Sequence, residues 1–317
     1  MNPFCNQKSD TVSALGEERL IVSIRRWLGD VSPPAPLGIG DDCAVLPPSK
    51  RQQAVTVDPV IYGRHFDDSI SPTAVGAKLL KRNLSDLAAM GARPRFAVVA
   101  LTLDPSTRTA WLEKFYRGLA ACARQYRLAI VGGDVAQADG VLAASLTLIG
   151  EASGRRMLTR AGARIGDWIY VTGPLGGSLL GKHFRFSPRL SEGAWLANRP
   201  EISAMMDMSD GLAKDLHELT PAGGEPALAE AHIPISAAAL RMARQSGRSA
   251  LAHALTDGED YELLFTVRAR TDRTALERAW RRRFGEPLHV LGRFVRSGQR
   301  PADSIDLRAY HGYEHLR

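Results

Sequence analysis

The sequence predicts a mixed α/β protein (α+β in its balance) built as two domains. Three observations carry that expectation. Short apolar runs alternate with stretches of helical periodicity along the whole chain, the texture of sheet and helix layers. At 317 residues the chain is longer than one ordinary core requires. Near residue 150 its texture changes: 151–166 is basic and polar, and Gly166-Asp167 then opens a new apolar run. We therefore expect one domain over 16–150 and a second over 151–317.

In chain order, residues 1–15 read as disordered or loosely attached. Leu20, Ile21, Ile24, Trp27 and Leu28 are spaced as the apolar face of a helix over 17–28. A proline-rich loop at 31–36 leads to Gly38-Ile39-Gly40-Asp41-Asp42-Cys43, a strand-like run at 44–46 and a strand at 53–57 that ends in Asp58. The segment 62–66 carries His65. A helix then starts near Thr73 and stops at Gly91, a good residue just beyond a helix end. Val75, Leu79, Leu80, Leu84, Leu87 and Ala88 cover more than half of its circumference, so it is mostly buried. On a helical wheel Lys78, Lys81 and Ser85 share the wet face. Asn83 and Asp86 lie beside the apolar stripe, where a carboxylate needs a cation or donors. The apolar run 95–103 is a buried strand, 109–126 a helix, 129–131 a short strand ending at Gly132-Gly133-Asp134, and 142–150 another strand.

The second half repeats the alternation. A strand at 168–172 runs into Gly173–Gly177 and a helix, and another helix lies near Ala194. The strand 205–208 precedes a helix over 210–219, and Ile233-Pro234-Ile235 precedes one over 237–246. The strand 261–267, the helix 272–284 and the strand 289–295 complete the chain. No fixed-period repeat is visible.

Composition limits the function classes. Hydrophobic content of 44% and charged content of 24% are those of a globular chain. No apolar run approaches the ~18 residues of a membrane span, and the first residues lack the pattern of a signal peptide. Cys5, Cys43 and Cys122 are scattered and odd in number, which suits a reducing, cytoplasmic setting. The net charge of +7 is diffuse. Arg281-Arg282-Arg283 after Trp280 reads as a solvated helix face, and no nucleic-acid-binding signature accompanies it. Diffuse positive charge also suits a small polyanion.

The chemistry lies in a recurring pattern of Asp beside glycines or at strand ends: Asp41 and Asp42, Asp58, Asp134, then Asp207 and Asp210, with Asp86 on its helix. Asp at the C-terminal end of a strand faces the crevice where α/β sheets bind ligands. Singly, each fits a turn or cap, and Ser209 or Asp210 could simply cap the following helix. Together they would repel one another strongly without cations. Mg2+ suits them, since it takes carboxylate and water oxygens and shares substrate phosphates. Gly132-Gly133 and Gly173–Gly177 could offer N–H groups to an anion, or could be ordinary strand-to-helix turns. Arg160 could clamp a phosphate or pair on the surface, and His65 could donate to a phosphate or be a satisfied half-buried histidine. Glu259 and Asp260 read as a solvated acidic turn.

Taken in order and spacing, Gly38–Cys43, Asn83–Ala92, Gly132-Gly133-Asp134, Leu158–Ala163 with Gly166-Asp167, Asp207–Leu212, Gly258–Glu262 and the terminal Gly312-Tyr313-Glu314-His315 resemble thiamine-monophosphate kinase, over residues 16–317. The wider superfamily includes aminoimidazole ribonucleotide synthetase, selenophosphate synthetase and a hydrogenase-maturation protein. The resemblance implies direct transfer of the γ-phosphoryl of ATP to thiamine monophosphate, giving thiamine diphosphate and ADP, with several Mg2+ ions. It implies an N-terminal domain that binds ATP and Mg2+ and forms a homodimer, followed by a C-terminal domain. Metal ligation falls to Asp42, Asp58, Asp86, Asp134, Asp207 and Asp210, of which Asp86, Asp207 and Asp210 are the expected catalytic set. ATP contacts fall to Gly133, Asp134, Arg160 and Ser209, and substrate contacts to His65, Glu259 and Tyr313. Asp86 would bridge metals shared with Asp134 and Asp207. This chain departs from the family pattern at Val57 and Val135, where hydroxyl residues are usual, at Asp257, and in the loop 219–231.

Overall fold

The computed structural model describes residues 1–5, 8–40 and 42–313. Asp41 of the first acidic motif and His315 of the terminal one lie outside the described residues. The chain divides into two compact units: Met1–Leu87 with Arg93–Glu151, and Ala88–Ala92 with Ala152–Arg317.

In the first unit, α1 (Val12–Leu15) and α2 (Glu17–Leu28) precede β1 (Gln53–Ile61), α3 (Pro72–Met90), β2 (Ala92–Leu103), α4 (Thr109–Gln125), β3 (Ala129–Gln137) and β4 (Leu142–Ala152). The sheet runs β1-β4-β2-β3, with β1 antiparallel to β4 and β2 parallel to β3. Val75, Leu79, Leu80 and Leu84 on α3 are all 0% exposed. Two glycines let α3 and α4 cross closely: a Cβ at Gly76 would lie 2.0 Å from the Phe115 carbonyl oxygen, and one at Gly118 would lie 2.1 Å from that of Thr73. Leu87 reaches Gly150 of β4, so α3 also covers the sheet. The sheet's other face is open: Val55 is 66% exposed, Val57 61% and Val98 36%.

Several elements differ from the sequence expectation. The described residues before 16 are attached, not loose. The Cys5 N–H donates to Ser106 and the Val12 N–H to Thr107, both at 2.9 Å, and Arg108 donates to the Phe4 carbonyl. No strand forms at 44–46; Val45 instead donates its N–H to Pro36 at 2.7 Å and closes the proline-rich loop. β3 does not stop at Val131. It continues through Gly132-Gly133-Asp134 because β2 offers it a parallel partner as far as Leu103↔Gln137. On α3, Lys78 and Ser85 are buried, at 0% and 1% exposure, where the helical wheel had placed water. Its partly open stripe runs through Arg82, Asp86 and Met90 instead.

The second unit contains β5 (Trp168–Val171), α5 (Lys182–Arg185), α6 (Leu190–Ala197), β6 (Ile202–Asp207), α7 (Leu212–Leu219), β7 (Gly224–Leu228), α8 (Ala237–Ser246), α9 (Ala250–Thr256), β8 (Leu263–Val267), α10 (Arg273–Phe284) and β9 (His289–Arg296). Its sheet runs β6-β8-β5-β9-β7, each pair antiparallel. Alternate residues feed two cores, as strand geometry requires. Ile169, Val171, Ala204 and Met206 join Leu212 and Leu216 of α7, while Tyr170, Met205 and Phe265 join Leu276 and Trp280 of α10. Ala88 and Ala89 belong to the second of these cores, and a Cβ at Gly91 would strike the Ala197 side chain of α6. Side-chain caps fix the starts of α8, α9 and α10 at Ser236, Ser249 and Asp272. The sequence reading missed β7, whose glycines and Pro226 look like a loop; Pro is tolerated because β7 is an edge strand. It also missed α9, which is too short to show a period. Among the described residues no helix is long and apolar enough to cross a membrane.

Candidate functional site

In the first unit, β1 and α3 bring two of the expected ligands together. Thr56 and Asp58 share a face of β1 because they are two residues apart. Thr56 donates its hydroxyl to the Asp86 carboxylate. Arg82, one helical turn before Asp86, donates to Asp58 at 3.3 Å and to the Pro59 carbonyl at 2.9 Å. Val57 points to the opposite, open face. The hydroxyl that the sequence lacks at 57 thus has a neighbour in Thr56, already on Asp86. Asn83 bonds the helix backbone, its amide donating to the Leu79 carbonyl at 2.9 Å. His65 Nδ1 accepts the Ile61 N–H at 3.1 Å, which places the ring proton of the neutral form on Nε2. Buried Lys78 holds the same loop by donating to the His65 carbonyl at 3.3 Å.

Asp42 and Asp134 meet at a cleft of about 530 Å³, a size suited to a small ligand. Ile39, Gly133, Val135 and Tyr116 also line it. A second hollow of about 450 Å³ shares Asp42, Gly133 and Asp134 and extends over Val98 and Thr147 on the open sheet face. Gly133 exposes bare main chain to both. A side chain there has no room, since a Cβ would lie 2.1 Å from the Val99 carbonyl oxygen. The Gly-Gly-Asp segment thus works as an extended edge, not as a turn. Tyr116 was not singled out from the sequence, because its place on α4 reads as core.

In the second unit, β6 is buried along its length and ends at Asp207, 5% exposed. α7 begins only at Leu212, with Gly211 before it, so neither Ser209 nor Asp210 caps it through a side chain. Their N–H groups go instead to one oxygen of Asp215, at 3.0 and 3.1 Å. Burial pushes the Asp215 carboxyl up to about 8; repulsion from Asp207 and then Asp210 adds to the effect, while the two N–H donors oppose it. Three acids crowded in this way favour a cation nearby. Lys214 pairs with Asp210 at 2.6 Å and donates to the Tyr313 carbonyl at 2.8 Å. Asp215 was legible in principle: it is an acid on the apolar stripe of Leu212, Leu216 and Leu219.

Two expected residues converge on this turn. The Glu259 N–H donates to the Ser209 carbonyl at 2.7 Å, and the Tyr313 N–H to that of Asp210 at 3.0 Å. Tyr261 donates its N–H to Met208 at 2.9 Å, so the segment 257–262 is laced to the 207–210 turn. This segment is no solvated acidic turn. Asp260 is 1% exposed and Glu262 3%. Glu262 binds Lys182 and Arg189 at 2.9 Å each, and these cations hold its carboxyl below the usual range despite burial. Asp260 and Asp257 accept the N–H groups of Gly176 and Gly177, at 2.9 and 2.8 Å. The glycine turn at 173–177 therefore spends these donors on carboxylates, and only the four-residue α5 follows it. Of the two readings the sequence leaves open for that turn, these bonds support the ordinary one. Arg160 pairs on the surface with Glu218 at 3.6 Å, both side chains being more than half exposed. Its segment is pinned to β6 by the Met205 N–H, which donates to the Thr159 carbonyl.

Among the described residues no group of three or more His, Cys, Asp or Glu is arranged to hold a metal. The expected ligands come in pairs instead: Asp58 with Asp86, Asp42 with Asp134, and Asp207 with Asp210. All are carboxylates, the donor type of a hard cation. Mg2+ ordinarily takes one or two carboxylates plus substrate phosphates, which such pairs fit.

Residues 40–152 match the family described as AIR synthase related protein, N-terminal domain. The thiamine-monophosphate kinase of Rhodopirellula baltica is 41% identical over 246 residues, covering 74% of this chain and 77% of that one. The thiamine-monophosphate kinase of Escherichia coli (strain K12) is 38% identical over 312 residues, covering 88% and 92%. The solved structure of AaThiL complexed with AMPPCP and TMP superposes with a TM-score of 0.70 at 27% identity, over 96% of this chain and 98% of that one.

Proposed function

The chain belongs to the thiamine-monophosphate kinase family, and from that premise we propose how its residues divide the work. It is an ATP-dependent kinase that phosphorylates thiamine monophosphate to thiamine diphosphate. The observation that carries this reading is likeness along nearly the full length, with 38% identity over 88% of the chain.

ATP contacts are assigned to Gly133, Asp134, Arg160 and Ser209. Gly133 offers main-chain groups that no side chain can cover. Thiamine monophosphate is held by His65, Glu259 and Tyr313. A carboxylate and an aromatic suit its cationic and hydrogen-bonding rings, and the Nε2–H of His65 suits its phosphate. Mg2+ would be held by Asp42, Asp58, Asp86, Asp134, Asp207 and Asp210. When bound it would neutralise the negative charge that two joining phosphates bring together.

The transfer breaks the bond between the γ-phosphorus and the oxygen retained by ADP, and forms one to an oxygen of the acceptor phosphate. That oxygen is already ionised near neutral pH, so positioning counts for more than a strong base. Asp86, Asp207 and Asp210 serve as fixed anions. Asp86 is steadied by Thr56 and by the buried packing of α3, and Asp210 by Lys214 and, through its backbone, Asp215. The transfer is the last step in making thiamine diphosphate, in the cytoplasm. The protein acts as a homodimer formed through the first unit, a reading supported by the open apolar face at Val55, Val57 and Val98.

The test is thiamine diphosphate formation by the purified chain with ATP, with and without Mg2+. Turnover is expected only with Mg2+, and Asp86→Asn and Asp207→Asn should each abolish it. Full activity in both variants would remove the role given to these carboxylates. ADP release with another acceptor, but none with thiamine monophosphate, would point to a different substrate.

A further inference from the structure

The segment Gly258–Tyr261 has an unusual backbone. Glu259 has φ 50° and Tyr261 φ 51°, alongside Gly258 at 69°. Non-glycine residues rarely hold the left-handed region, and when they do the surroundings must fix them there. Here they do. Ser178 donates to the Gly258 carbonyl at 2.6 Å, Glu259 and Tyr261 donate their N–H groups to Ser209 and Met208, and Asp260 is held by the Gly176 N–H. One result is that the Tyr261 ring turns inward. It is 3% exposed and stacks on Phe186 at 3.9 Å between centroids and 14° between planes. A second result is that its hydroxyl stays beside residue 259, donating to Glu259 Oε1 at 3.0 Å.

We propose that Tyr261 is a positioning residue for thiamine monophosphate: held rigid by its backbone and by the Phe186 stack, it orients the Glu259 carboxylate toward the substrate's ring system. This rests on the reading that Glu259 touches that substrate. A glutamate has three rotatable bonds, and a fixed donor on one oxygen removes much of that freedom before the substrate arrives. The hydroxyl contributes through Glu259 and not by contact, so its loss should appear in substrate affinity and not in the chemical step.

The experiment is steady-state kinetics of the full chain with Tyr261→Phe, Glu259→Gln and the double variant, each substrate varied in turn at saturating Mg2+. Phe keeps the stack and removes only the hydroxyl. Tyr261→Phe should raise the KM for thiamine monophosphate about tenfold, the size of one hydrogen bond to a charged group, and leave kcat and the KM for ATP within about twofold. In the Glu259→Gln background it should add little. If Glu259→Gln raises that KM and Tyr261→Phe does not, the positioning role is overturned while the substrate contact stands. If Glu259→Gln leaves the KM unchanged, the contact itself is wrong. Equal changes in both KM values would make Tyr261 a general structural residue and overturn the proposal. Should Tyr261→Phe fail to fold, Phe186→Leu replaces it. That variant keeps the hydroxyl but loosens the ring, and a smaller rise confined to thiamine monophosphate is expected; no rise overturns the role.

Discussion

Asp260 shows how much single residues carry here. Burial pushes its carboxyl up to about 7, against the pull of the Lys182 ammonium and the Gly176 N–H. In the unfolded chain the same group titrates near ~3.9. Between those values the folded protein holds a proton that the unfolded chain has lost. The stabilising contribution is therefore complete below the unfolded value and disappears as pH rises through the folded one. Asp260→Asn keeps an acceptor for Gly176 without this titration. Thermal melts at about pH 5 and about pH 7.5 should show the wild type losing several degrees relative to the variant; a constant gap would mean that Asp260 is already ionised at the lower pH. The acids themselves were legible in the sequence, because glycines and strand ends flag them. What each one leans on was not. Thr56 lies 30 residues from Asp86, and Tyr313 lies 99 from Lys214, and only packing over such separations selects the partner. The solvated reading of 257–262 failed for the same reason: Lys182 and Arg189, 80 and 73 residues before Glu262, neutralise it from another part of the chain.

At the scale of elements, helices with strong periods were readable and short or glycine-rich ones were not. The sequence reading of α2 and α8 coincides with the structure, since their apolar spacing and end signals agree. β3 was cut short because two successive glycines look like a turn until a parallel neighbour is known. On α3, the apolar count showed burial but not its extent, so Lys78 and Ser85 were assigned to water. The close crossing of α3 and α4 depends on Gly76 and Gly118, each of which has a carbonyl oxygen from the other helix where a side chain would stand. Gly118→Val should therefore force the helices apart. We expect a loss of about 3 kcal/mol or more, against less than about 1 kcal/mol for Gly140→Asn, at a site where nothing lies within 4 Å. At Gly140 the left-handed φ of 72° makes Asn the fair comparison. Denaturant unfolding of both variants compares the two sites. Equal losses would show that the crossing is not tight.

For the whole molecule, the proposed dimer would use the open face of the first sheet. Val55 and Val57 alternate with Thr56 and Asp58, so one face of β1 serves the acids while the other offers apolar surface. If the proposed dimer forms through this face, Val57→Lys should leave each subunit folded and give a monomer in light scattering where the wild type gives a dimer; a dimer that persists would place the interface elsewhere. The cleft at Gly133 has a different consequence, for inhibition. A competitor whose polar atoms engage this stretch of main chain would meet groups that a point substitution cannot remove. The usual route to resistance, a bulkier residue at the contact, is closed there, since any side chain at 133 would run into the Val99 carbonyl of the neighbouring strand.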